Sequence, residues 1–156
     1  MKQIFILSLL LSTSLFAQEL RIKADSFKAD EKAGMSVFSG SVNIVKNQDE
    51  LNASTVTIFT NEEHKPTKYI ASGNVAFYIS TPKGAIYSGN AQRVVYLPGK
   101  KEYHFYENVR LTQVNEKKEI IGDEVVLKTV EGKAYAKGEK SGPVIMIFNI
   151  PDEEEK

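Results

Sequence analysis

Gly40-Ser41-Val42-Asn43-Ile44, Gly73-Asn74-Val75-Ala76-Phe77 and Glu107-Asn108-Val109-Arg110-Leu111 are three copies of one phrase. In each, a short polar residue leads into a valine that opens an alternation of apolar and polar side chains. The valines lie 75−42 = 33 and 109−75 = 34 positions apart. Between them runs a second phrase, with an apolar residue, a small one and a short polar one ahead of further apolar residues: Ile22-Lys23-Ala24-Asp25, Leu51-Asn52-Ala53-Ser54, Tyr87-Ser88-Gly89-Asn90 and Ile120-Ile121-Gly122-Asp123. A period of this size is the mark of stacked supersecondary units.

Alternation of period two marks half-buried strands, as in Phe38-Val42-Ile44, Val75-Phe77-Ile79 and Ile145-Ile147. No window after residue 18 keeps helical spacing. Turn chemistry punctuates the chain at Asn61-Glu62-Glu63, Thr81-Pro82-Lys83-Gly84, Leu97-Pro98-Gly99-Lys100, Asn115-Glu116-Lys117-Lys118, Glu131-Gly132-Lys133 and Ser141-Gly142-Pro143. Many short strands with such turns make a sandwich, barrel or jelly roll. In the second phrase the apolar parity slips: Leu51 and Ala53 are odd while Val56 and Ile58 are even, and Tyr87 and Gly89 give way to Val94 and Tyr96. A one-residue slip turns every side chain to the other face unless the strand bends, so corners or bulges are expected at Asp25, Ser54, Asn90 and Asp123. Stacked corners build an elongated, twisted double sheet with an apolar interior along the repeat axis, either a filled core or a groove.

Residues 1–17 carry Lys2, an apolar stretch from Ile4 to Leu11 that continues to Phe16, and Ala17 before Gln18-Glu19, the pattern of a secretory signal peptide. The apolar stretch is short for a membrane span of about 20 residues. Cleavage after Ala17 leaves 156−17 = 139 residues, enough for one domain with a sizeable core over 18–150 and a solvated acidic tail at 151–156. Leu15 is large for its place before the cut, which keeps open an uncleaved anchor in the inner membrane. The chain has no cysteine, so disulfides, thiol nucleophiles, thiolate metal sites and a lipid anchor on sulfur are excluded.

Twenty Lys and Arg balance twenty Asp and Glu, and no basic field points to nucleic acid. His64 and His104 lie forty residues apart with no metal-binding spacing. The acidic pairs Asp49-Glu50, Glu62-Glu63 and Asp123-Glu124 fall at turns or corners, and neighbours on a strand point to opposite faces. No nucleophile elbow or phosphate loop occurs, so no catalytic residue, metal or cofactor is expected. Lys100-Lys101 and Lys117-Lys118 at hairpin tips read as edge protection. Tyr69, Phe77, Tyr78, Tyr87, Tyr96, Tyr103, Phe105 and Tyr106 crowd the middle third as ordinary strand packing. A stack of this kind leaves open strand edges at its ends, which invite strand addition.

With these phrases, the leader and the parity slips together, the chain resembles the LptA/OstA family over roughly residues 20 to 148. The resemblance implies an all-β, elongated, twisted open β-jelly roll in the periplasm, which shields the acyl chains of lipopolysaccharide and joins like folds head to tail. It implies an inward lipid-facing surface at Phe38, Val42, Ile44, Val56, Ile58, Val75, Phe77, Val94, Tyr96, Val109, Leu111, Val125 and Leu127, some of them plain core. It also implies partner edges at Ile22, Ala24 and Phe27 toward an LptC-like inner-membrane protein, and at Ile145 and Ile147 toward an LptD-like outer-membrane protein. Glu107 departs from the Gly of the other copies. Two other readings stand beside this one: an LptC-like anchored subunit, and a structural exported β-repeat protein without lipid.

Overall fold

The computed structural model describes residues 18–152. The expected signal peptide, and residues 153–156 of the expected tail, lie outside the described residues. Ten strands follow one another: β1 (Leu20–Lys23), β2 (Ser26–Asp30), β3 (Met35–Lys46), β4 (Asp49–Thr60), β5 (Pro66–Ser80), β6 (Ile86–Leu97), β7 (Glu102–Gln113), β8 (Lys118–Lys128), β9 (Lys133–Lys137) and β10 (Ile145–Phe148). All pair antiparallel in a single sheet ordered β1-β3-β4-β5-β6-β7-β8-β10, with β2 also beside β3 and β9 also beside β8. The corner expected at Asp25 falls where the chain breaks between β1 and β2, at Ala24-Asp25.

The sheet bends along one line, and the repeated phrase makes the bend. Pairing registers shift between Ser39 and Val42, between Ser72 and Val75, and between Tyr106 and Val109. Within each gap two consecutive residues take left-handed backbone: Gly40-Ser41 (φ 83° and 44°), Gly73-Asn74 (85° and 45°) and Glu107-Asn108 (64° and 51°). One residue of the neighbouring strand faces each pair, namely Ser54, Gln92 and Asp123. Inserting two residues preserves parity on β3, β5 and β7; the single residue on β4, β6 and β8 flips it, which is the slip legible in the sequence. In β6 the corner residue is Gln92, not Asn90. Asn90 keeps regular pairing with Ala76 and Arg110, and small Ala91 is buried, so the odd parity persists two residues further than the larger side chains indicate.

Polar side chains close the corners. The Ser54 hydroxyl donates to the Gly73 carbonyl at 3.3 Å, and the Gln92 amide donates to Asn74 Oδ1 at 3.1 Å. The Asp123 carboxylate accepts the backbone N–H groups of Glu139 and of Ser141, the latter at 3.2 Å, which ties down the crossing from β9 to β10. A Cβ on Gly73 would lie 2.5 Å from Ser54 Oγ, so this corner needs glycine for space as well as for φ. At the third corner Asp123 turns instead toward the loop at 139–141, and Glu107 fits there at a positive φ.

The bend divides the sheet into two facing half-sheets. One holds β2, β9, the N-terminal parts of β3, β5 and β7 and the C-terminal parts of β4, β6 and β8; the other holds β1, β10 and the remaining parts. A single inward row crosses the first as Phe27, Phe38, Val56, Ala71, Val94, Phe105, Val125 and Ala136. Its counterpart crosses the second as Ile22, Ile44, Leu51, Phe77, Gly89, Leu111, Ile120 and Met146. Burying each large member contributes about 1.5–3 kcal/mol. Phe77 of β5 packs against Phe105 of β7 in a tilted pair with ring centroids 4.5 Å apart, so the facing segments are offset by two strands. The offset leaves the end segments uncovered: Phe27 is 61% exposed at one end, and Met146 and Phe148 are 50% and 53% exposed at the other.

Gly73→Ala should lower stability by about 2 kcal/mol or more, because a left-handed residue with a Cβ costs about 1–2 kcal/mol before any clash. Gly99→Ala, where a Cβ meets nothing, should be close to neutral. Glu107→Gly should raise stability by up to about 1 kcal/mol. Urea titrations of the three variants read all of these shifts.

A cleft between the half-sheets

Away from the bend the half-sheets part on the side nearer β1 and enclose a cleft of roughly 270 Å³. Its walls are Leu20, Ile44, Leu51 and Ile79 from the β1 half-sheet and Val56, Tyr69, Ala71, Val94, Tyr96 and Tyr103 from the β2 half-sheet, with Gln18, Lys46, Asp49, Glu50 and Tyr78 also lining it. Four neighbouring strands supply each wall, β1-β3-β4-β5 on one side and β4-β5-β6-β7 on the other, the same two-strand offset. At about 4.8 Å between strands, four strands extend over roughly 14 Å between the first and the last.

The opposite part of the interior is filled. Val75, Phe105, Val109 and Val125 are 0% exposed, and Leu111 and Leu127 only 1%. Phe77 and Phe105 occupy the centre of this region, and Tyr103 stacks on Phe105 with centroids 6.0 Å apart. Interior and cleft are therefore continuous, one end packed and the other open.

Of the residues expected on the lipid-facing surface, the cleft gathers Ile44, Val56, Val94 and Tyr96. Val42, Val75 and Val109 sit at the bend and, with Phe77, Leu111, Val125 and Leu127, belong to the packed core. Ile58 is buried on the same row as Tyr69, and Phe38 is half-buried against Phe27, with rings 4.9 Å apart. Leu20, Leu51, Tyr69, Ala71, Ile79 and Tyr103 also line the cleft and are not among the residues expected there. Tyr69 and Tyr103 share odd parity with Val75 and Val109 on their own strands, across the left-handed pairs, and that parity was the available signal. At the edges, Ile22 and Ala24 are half-buried and Phe27, Ile145 and Ile147 exposed. On β10 the inward row runs through Met146 and Phe148, so Ile145 and Ile147 face the other way. β9 is a second open edge at this end, carrying Tyr135 at 54% exposure.

The polar groups of the cleft lie at its lips. Tyr69, Tyr96 and Tyr103 form a cross-strand ladder, with centroids 5.9 Å and 4.3 Å apart in succession. Burial pushes all three phenols above the ordinary tyrosine value, so they stay neutral donors. On the other lip Asp49 Oδ1 accepts the Ser80 backbone N–H at 2.7 Å and its hydroxyl at 2.6 Å. On the outer face of β7, His104 Nε2 lies 3.1 Å from Glu102 and Lys128 Nζ 3.6 Å from it, which holds the Glu102 carboxyl below its usual range. His64 lies in the turn after β4. Among the described residues no group of three or more His, Cys, Asp or Glu could hold a metal ion.

Packed and open regions should respond differently to truncation. Phe105→Ala should cost about 3–5 kcal/mol in a urea titration, the range for emptying a closed core position. Ile44→Ala, at the edge of a cleft already open, should cost less than half of that.

Among curated proteins none matches the sequence. A solved structure with the same fold is the crystal structure of LptH, the LptA homologous periplasmic component of the conserved lipopolysaccharide transport device from Pseudomonas aeruginosa. It is 18% identical, with a TM-score of 0.74 over 85% of this chain and 96% of that one. The family described as LptA/(LptD N-terminal domain) LPS transport protein matches residues 21–133, from the first strand through the eighth and into the start of β9. With its open, bent jelly roll, the chain belongs to the LptA/LptD N-terminal domain family of lipopolysaccharide transport proteins.

Proposed function

We propose that this protein acts in the periplasm, holds an acyl chain of lipopolysaccharide in the cleft between its half-sheets, and bridges inner- and outer-membrane components of the transport machinery. The observation that carries this reading is an apolar-walled cleft, open to solvent, in a β-jelly roll whose remaining interior is packed. Moving an acyl chain through water costs on the order of 0.8 kcal/mol per methylene, so export demands a continuous apolar shelter. A cleft open along one side also lets the lipid's sugars remain in water. The leader over residues 1–17 supports export.

The ends support the bridge. Uncovered Phe27 belongs to one half-sheet and uncovered Met146 and Phe148 to the other. Laid end to end, the overhang of one copy supplies the missing facing layer of the next and continues the apolar interior. The β1/β2 end would meet an LptC-like partner by the same joint, and the β9/β10 end an LptD-like one.

Photocrosslinking in cells making labelled lipopolysaccharide tests the cleft. A crosslinker at Tyr96 should yield lipid adducts, and one at Thr57, on the outer face, should not; adducts at neither position from an exported, folded protein would sink the reading. The joint makes a separate prediction. Phe27→Asp and Met146→Asp should each abolish concentration-dependent self-association in sedimentation, while a mixture of the two should form one-to-one pairs, since one intact joint remains.

A further inference from the structure

Asp49 and the tyrosine ladder face each other across the mouth of the cleft. Their positions follow from the pairing: Tyr69, Tyr96 and Tyr103 lie on the inward row next outside Val94 and Phe105, and Asp49 lies on the corresponding row of the other half-sheet, paired with Lys46. Such groups are out of place in a site built only for hydrocarbon. Among the described residues Tyr106, on the outer face, finds a side-chain partner for its hydroxyl, whereas those of Tyr69, Tyr96 and Tyr103 make no hydrogen bond to the protein and reach the open mouth, where water serves them. A plain acyl chain lying across them strips that water without replacing it, at roughly 1–3 kcal/mol for each hydroxyl left unpaired.

We propose that this mouth is a specificity site for an acyl chain bearing a hydroxyl group, with the phenols of Tyr69, Tyr96 and Tyr103 on one lip and the Asp49 carboxylate on the other. The inference rests on the reading of the cleft as an acyl-chain site and names which chains it prefers. The donor and acceptor inventory decides the ligand class. Phenols can donate or accept, and an ionised carboxylate only accepts. Asp49 spends Oδ1 on Ser80, which also fixes the carboxylate on the rim and leaves Oδ2 for a ligand. A ligand hydroxyl can donate to Asp49 and accept from a phenol at once. A plain methylene satisfies neither, and a carbonyl, which only accepts, leaves the carboxylate unmatched. Sites that hydrogen-bond a ligand hydroxyl discriminate against the analogue lacking it because their own polar groups are otherwise left unpaired.

The test compares methyl β-hydroxylaurate with methyl laurate as competitors of the dye N-phenylnaphthylamine on the purified protein. The hydroxylated ester should bind about three- to tenfold tighter, the worth of one net hydrogen bond. The triple variant Tyr69→Phe, Tyr96→Phe and Tyr103→Phe keeps every ring and its stacking; it should lose the preference, because methyl laurate no longer leaves phenols unpaired and closes the gap on the hydroxylated ester. Asp49→Asn, whose oxygen stays with Ser80 and whose Nδ2 offers the ligand a donor in place of an acceptor, should weaken the preference only in part. Equal binding of the two esters by the unaltered protein overturns the proposal, as does a preference that survives in the triple variant. Failure of both esters to displace the dye brings down the acyl-chain reading itself and this proposal with it.

Discussion

Two left-handed residues set against one on the neighbouring strand are the constraint on which the rest of this structure depends. Without that mismatch the long strands would continue as a single flat layer, with apolar residues of opposite parity on opposite faces. With it, each strand turns at the same height. The inward rows on either side of the bend then face each other and bury side chains from Val42 to Leu127. The backbone cost falls partly on glycine and asparagine, which tolerate positive φ, and is offset by the valine that follows each pair, buried to within 1% of complete. The Ser54 hydroxyl on the Gly73 carbonyl and Gln92 Oε1 on the Asn74 backbone N–H satisfy polar groups that the broken ladder leaves open, while Asp123 ties down the loop at 139–141.

Whether the interior holds a core or a cleft is decided by side-chain volume on a common frame. Toward β8, Phe77, Phe105, Leu111 and Leu127 fill the space between the half-sheets. Toward β1 the inward positions carry Ile44, Leu51, Ala71 and tyrosines turned to the rim, and the same spacing stays open. The transition is gradual, since Tyr103 both lines the cleft and stacks on Phe105. A rigid packed end beside an accommodating one lets the fold keep its stability independent of whatever occupies the cleft.

The repeated phrase, its period and its parity slips were enough to read the all-β class, a double sheet turned at repeated corners and the inward face of most strands, while the open jelly roll came with the family resemblance. Parity is a one-dimensional signal, however, and reports which face a residue takes, not what stands opposite. Val75, Val94 and Val109 look alike in sequence, yet only Val94 borders the cleft, because the half-sheets are offset by two strands and the offset appears only when the sheet is folded. Tyr69 and Tyr103 were hidden for a related reason: their strand parity is continuous with Val75 and Val109 only once the left-handed pair is recognised as a two-residue insertion. Asn90 was mistaken for a corner because Ala91 adds little to an apolar pattern.

The offset of the half-sheets also bears on assembly size. The uncovered layers at the two ends come from opposite half-sheets, so any joint between unlike ends is heterologous and lacks a two-fold axis. Contacts of that kind do not close on themselves after two subunits; they propagate in one direction, and every intermediate length presents the same pair of ends. In an array of the kind proposed above, and where the rotation at the joint does not close a ring, the chain itself would set no length. Length would then be fixed from outside, by molecules that offer one of the two overhangs and not the other.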